Sequence, residues 1–222
     1  MPDQIDDSSE LDLFADDSTA FEIDDSIDAA MVKMSKTAND IEQYSKRNSL
    51  SIHPGKCKIL TISKKPFIGP IPTIEIDKKP VETVTSAKCL WVTIDNRLSW
   101  EPNIKDVCRR FYAKLKKLYK MRSMSKDTLK TIYFQGILPS AIYSILIWGS
   151  SNHLSDVNKI HIKAAHFIMK IKKNVSDNLV LNLAKWKPID FYYKKALACK
   201  TFKIFNELSP DFLSSLISKR HV

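Results

Sequence analysis

Apolar and polar residues alternate early in the chain. Over residues 11–23, Leu11, Leu13 and Ala15 alternate with Asp12, Phe14 and Asp16, and Thr19, Phe21 and Ile23 continue the alternation after Asp17. A two-residue period across an acidic break predicts strand, tight turn, strand. Asp24, Asp25 and Ser26 then supply capping side chains. The spacing of Ile27, Ala30, Met31, Met34, Ala38, Ile41 and Tyr44 predicts a helix over 27–48 that packs on a sheet. Residues 50–57 form a loop closed by Pro54-Gly55, and 58–63 a short strand. Residues 64–72 hold three prolines and a glycine and read as a connector. The next elements are a hairpin of 73–76 and 81–84 about a turn at 77–79, and one strand over 88–95.

After Trp100 the period changes to that of helices. Ile104, Val107, Cys108, Phe111, Leu115 and Leu118 mark one face of a helix over 103–122. Further helices are expected from Ser125 toward Gly149, over 154–173, 176–185 and 190–208, and a short one over 210–219. Residues 131–152 carry no Asp, Glu, Lys or Arg. They include Gln135, Pro139 and several serines, too polar for a membrane span of about 20 apolar residues. A buried helix pair, or a helix broken at Pro139, is expected there. The fold class is therefore α+β: a small antiparallel sheet with a packed helix in residues 1–100, then an all-helical region in 101–222.

Charge sharpens this picture. Residues 1–29 hold eleven acids and no Lys or Arg. The other 193 residues hold 14 of the 25 acids against all 35 bases, a net of +21. A body this basic suits a polyanion, most simply nucleic acid, although a lysine-rich face also serves solubility. The expected contact element is the helix over 103–122, with Lys105, Arg109, Arg110, Lys114 and Lys117 on its polar face. The chain has four glycines and no phosphate-binding glycine loop. Cys57, Cys89, Cys108 and Cys199 lack zinc-site spacing. They fit a reducing, intracellular setting, as does the lack of a signal-peptide pattern. His161 and His166, five apart on one helix, are poorly spaced as paired ligands. The acidic start lacks the spacing of a calcium loop. Asp16 and Asp17 at a hairpin tip read either as a solvated turn or as oxygen ligands for a hard divalent cation.

Several short motifs fall in one order. Phe14-Ala15-Asp16-Asp17 resembles the F/YADD box of reverse transcriptases. Leu50-Ser51-Ile52-His53-Pro54-Gly55-Lys56-Cys57 resembles an LxLNxxKT segment, and Lys88-Cys89-Leu90-Trp91-Val92-Thr93-Ile94-Asp95 resembles KYLGVxID. Leu98-Ser99-Trp100 with Asn103-Ile104 resembles LSWxxHI, and Tyr133 through Trp148-Gly149 resembles the helices that follow. Together the chain resembles the C-terminal part, end of palm plus thumb, of a non-LTR, jockey-like retrotransposon reverse transcriptase.

That resemblance implies a partial polymerase palm over 1–100 and a thumb-like region over 101–222. It implies nucleotidyl transfer with two Mg2+ ions. Asp16 and Asp17 would be catalytic metal ligands and Lys56 would act on the departing phosphates. Lys88, Leu90 and Trp91 would lie toward the primer, and the first basic helix against an RNA template and DNA primer duplex, with a dNTP as substrate and no membrane partner. The chain departs from the pattern at Cys89, at His53, and at Trp91, which stands where the family has glycine. A palm also needs an upstream aspartate and fingers. The expectation is a remnant that is inactive alone. The alternatives are a non-catalytic basic nucleic-acid-binding module, or a pseudogene-like product without selected function.

Overall fold

A computed structural model of the chain describes residues 10–15, 17–63, 71–172, 174–210 and 212–213. The chain is α+β and divides into two compact units, Met1–Leu98 and Ser99–Val222.

In the first unit, strands β1 (Glu10–Phe14) and β2 (Asp17–Phe21) pair antiparallel, with Phe14 opposite Asp17. Helix α1 (Ile27–Arg47) follows. The Ser26 hydroxyl accepts from the Ala29 N–H at 3.1 Å, and Lys46 and Arg47 lie in the last turn, where cations suit the helix dipole. Two contacts tie the end of the hairpin to α1: the Thr37 hydroxyl donates to Glu22 Oε1 at 2.5 Å, and Lys33 pairs with Asp24 at 2.9 Å. A 3-10 turn over Pro54–Lys56 leads into β3 (Lys58–Leu60). After it come β4 (Glu75–Ile76), β5 (Lys79–Pro80), β6 (Glu82–Val84), β7 (Ser86–Cys89) and β8 (Val92–Asp95). The core of this unit is small: Met31, Ala38, Ile74, Ile76 and Val81, with Ile27, Met34, Ile52, Cys57, Ile59 and Ile71 at its edge.

Three expectations are corrected here. Among the described residues the strands form four separate two-stranded ladders, and one of them, β3 with β6, is parallel. Strand β6 pairs with β3 and not with β4, although the buried Val81 before it still donates its N–H to the Ile74 carbonyl at 2.8 Å. Residues 88–95 do not form a single strand. Cys89 pairs with Val92, so Leu90 and Trp91 are the two-residue turn of a β7–β8 hairpin. Two-residue hairpin turns need positive φ to match the right-handed strand twist. Leu90 and Trp91 have φ of 44° and 68°, and Asp77 and Lys78 in the β4–β5 turn have 51° and 57°.

The second unit is helical throughout its described residues. Helix α2 (Glu101–Lys120) buries Ile104, Val107, Phe111, Leu115 and Leu118, a stripe recurring at three- and four-residue steps. Helix α3 (Lys126–Ile132) starts at Ser125, whose hydroxyl accepts from the Thr128 N–H at 3.1 Å. A π-helical turn, Tyr133–Ile137, joins it to α4 (Leu138–Ala141). Proline lacks an N–H and its ring clashes with the carbonyl four residues back. The wider turn ahead of Pro139 absorbs that clash, and the chain breaks farther on, at Ser144 with φ of 53°; of the two expected arrangements, a helix pair and a break at Pro139, the segment takes the first, as α4 and α5. Helices α5 (Ile145–Trp148), α6 (Leu154–Met169), α7 (Asp177–Ala184) and α8 (Ile189–Phe205) complete the unit. Trp148 is fully buried and its Nε1 donates to the Tyr143 carbonyl at 2.9 Å. Most of the helix expected over 210–219 lies outside the described residues. No helix among the described residues is long and apolar enough to cross a membrane.

Candidate nucleic-acid interface

Asp16 lies outside the described residues, so nothing structural is said of it. Asp17 opens β2 and is exposed, beside Ala15 with φ of 55° and Phe14, which is 65% exposed. Leu13, Phe21 and Ile23 are exposed as well. Lys56 ends the 3-10 turn on the surface, and among the described residues it makes no ion pair with Asp17 or any other acid. Magnesium is a hard cation that needs oxygen ligands and near-octahedral geometry. Among the described residues no three His, Cys, Asp or Glu side chains are grouped to hold a metal ion. Asp17 by itself is too few ligands for a two-metal site, and Asp16, the other expected ligand, lies outside the described residues.

The β7–β8 turn places Lys88, Leu90 and Trp91 together. Trp91 is 66% exposed, and Lys88 Nζ sits 5.1 Å from its ring centroid. The left-handed backbone at Trp91 gives a physical reason for glycine in the KYLGVxID pattern. Glycine adopts positive φ freely, whereas an L side chain is strained there by roughly 1–2 kcal/mol.

Helix α2 carries seven cations over 105–120, and Arg122 follows just after its C-cap. Its cations fall into two groups. In the first half, Lys105 pairs with Glu101 at 2.7 Å, and Arg109 and Arg110 pair with Asp106 at 2.5 and 3.1 Å. In the second half, Lys114, Lys116, Lys117 and Lys120 are exposed and have no acidic partner among the described residues. Of the five α2 cations expected to contact nucleic acid, Lys114 and Lys117 therefore have no acidic partner among the described residues, while Lys105, Arg109 and Arg110 are partly neutralised within the helix. Cys108 faces inward, and burial, with the nearby Asp156, pushes its thiol up to about 11, so it stays protonated. The described cysteines are all free.

Two relatives share sequence with this chain. One, described as "Probable RNA-directed DNA polymerase from transposon X-element" of Drosophila melanogaster, is 34% identical over 103 residues, 44% of this chain and 11% of the relative. The other, "Probable RNA-directed DNA polymerase from transposon BS" of the same organism, is 26% identical over 123 residues, 54% of this chain and 14% of the relative. The chain thus spans about a tenth to a seventh of the length of the relatives it matches. No protein-family profile matches it, and no solved structure does.

Proposed function

We propose that this chain, whose resemblance to a reverse transcriptase fragment is borne out by two transposon relatives, supplies the end-of-palm and thumb portion of a retrotransposon RNA-directed DNA polymerase. Its own task in that reading is to hold a primer–template duplex. The supporting observation is α2, which buries one apolar stripe and turns Lys114, Lys116, Lys117 and Lys120 outward without acidic partners among the described residues. Lysines so placed bind phosphates without reading sequence, because they displace condensed counterions. Lys88 and Trp91 add a second basic and aromatic point in the other unit.

The test is binding of a labelled RNA–DNA hybrid to the purified chain across a salt series. Affinity should fall linearly on a log–log plot, with a slope of about −0.9 per phosphate neutralised. No binding, or binding indifferent to salt, overturns the reading.

Polymerisation is a separate matter. Asp16, Asp17 and Lys56 remain proposed catalytic positions of the longer enzyme, with Mg2+ and a dNTP. This chain by itself is expected not to incorporate nucleotides. Incorporation of a labelled nucleotide on a primed template in Mg2+ would refute that expectation. Hybrid binding without incorporation is also what a purely non-catalytic basic module gives. Grafting the chain into a relative's polymerase in place of the matching segment separates the two: restored synthesis supports the polymerase reading.

A further inference from the structure

Contacts between α2 and α6 climb both helices in the same order. Cys108 feels the charges of Asp156 and Lys159, Lys163 reaches Tyr112, and Phe167 meets Tyr119 edge-on at 4.5 Å. The two helices therefore run side by side in one direction. Val107 and Phe111 of α2 and Ile160 and Ala164 of α6 belong to the same buried cluster. Along the exposed edge of this seam, Tyr112 is 38% exposed. Lys116 Nζ lies 5.0 Å from its ring centroid and Lys163 Nζ lies 5.6 Å from it.

Two ammonium groups, one from each helix, thus converge on one aromatic ring. Neither has an acidic partner among the described residues, whereas Lys159, one turn earlier on α6, is paired with Asp156 at 2.8 Å. The ring's negative face attracts each cation by roughly 0.5–1 kcal/mol at an exposed site, while the cations repel each other. Such an arrangement raises the local positive potential and favours an anion with several acceptor oxygens. Lys120, exposed and one turn of about 6 Å beyond Lys116, extends the same edge.

We infer that Lys116, Tyr112 and Lys163 form one phosphate-contact site, so that α6 as well as α2 touches a nucleic-acid backbone. The ligand is a backbone phosphodiester group, and the assignment rests on the duplex-binding reading above. Lys163 is the new element. As one of two lysines on a helix whose other residues are mostly buried or half-buried, it carries no sign of function in the sequence.

The experiment compares K116Q and K163Q with K159Q in the full chain, using a fluorescein-labelled 20-base-pair RNA–DNA hybrid over a salt series. K159Q removes the same charge from the same helix at the paired position. Each phosphate contact contributes about fivefold to affinity at 0.15 M salt and about one unit of log–log slope. K116Q and K163Q should each lose about that much, and K159Q less than about twofold. A Y112W,W91F variant should show stronger quenching of its indole emission on adding hybrid than W91F alone. If the parent chain binds with steep salt dependence but K116Q and K163Q match it, or if K159Q loses as much as they do, this site is refuted and the duplex-binding reading survives. If the parent chain does not bind, both fall. Matching circular dichroism melts of the three variants confirm that affinity, not folding, is being compared.

Discussion

The Tyr133 hydroxyl donates to His161 Nδ1 across 2.5 Å, deep in the helical core. His161 Nε2 donates to the Lys187 carbonyl at 3.0 Å. A carbonyl only accepts, so Nε2 carries the proton and Nδ1 is free to accept from Tyr133. The Trp186 ring lies 4.9 Å from Tyr133 and almost parallel to it. Both partners are fully buried, and the pair ties the segment after α3 to α6 and to the loop before α8.

That pair predicts a pH dependence of stability. Burial lowers the His161 pKa from 6.5 to about 4, while its bond to the Lys187 carbonyl works weakly the other way. The unfolded histidine takes up a proton below about pH 6.5 and the folded one does not until about pH 4. The stabilisation is therefore complete above pH 6.5 and is lost as the pH falls toward 4, on the order of 3 kcal/mol in all. Urea midpoints at pH 7 and pH 4.5, for the parent and H161Q, check this. The drop should be clearly smaller in H161Q, and parallel drops would show that His161 is not the group responsible.

Trp91 sets stability against binding. W91G removes a side chain from a left-handed turn position and should stabilise the first unit by about 1 kcal/mol. The same change removes the exposed ring beside Lys88 and should weaken binding of a hybrid with an unpaired template overhang about fivefold or more, since an aromatic stacked on an unpaired base contributes about 1–3 kcal/mol. Thermal melts and anisotropy on one preparation measure both. A W91G protein with unchanged affinity would remove Trp91 from the interface.

Gly149 and Gly136 should respond oppositely to alanine. A Cβ at Gly149 would stand 2.4 Å from the Ile145 carbonyl oxygen and 2.4 Å from the Tyr193 ring, so the end of α5 must distort and the Tyr193 ring must shift to admit it. Overpacking of this kind costs about 1–3 kcal/mol. A Cβ at Gly136 meets nothing within 4 Å, and Gly136Ala should be neutral or stabilise by up to about 1 kcal/mol through helix propensity. Chemical denaturation of the two variants decides it.

The halves of α2 should differ in binding. K117Q removes an unpaired cation and K105Q one already paired with Glu101. K117Q should lower the salt slope by about one unit, and K105Q by distinctly less. Equal slopes would mean that the helix charges act only as a diffuse field.

Much of the helical unit was legible because burial repeats along a helix. The stripe from Ile104 to Leu118 predicted the inward face of α2, and Ser26 and Ser125 marked two helix starts within a residue. The β7–β8 turn was not legible. Its signal is normally glycine or asparagine, and Leu90-Trp91 carries neither, so 88–95 read as one strand. The break at Ser144 was missed for a related reason: Pro139 is the obvious breaker, and the π-helical turn before it takes up the proline's clash.

The sequence by itself determined the acidic start, the basic body, the helix periods and the motif order that led to the transposon polymerases. Those are properties of neighbouring residues, and local chemistry carries them. That Lys105 has an acid one turn away and Lys117 has none follows from the helix period as well. Only the tertiary structure brought Lys163 to Lys116 at one ring, because two helices far apart in sequence pack side by side. That meeting is set by distance in space, which residue order does not contain.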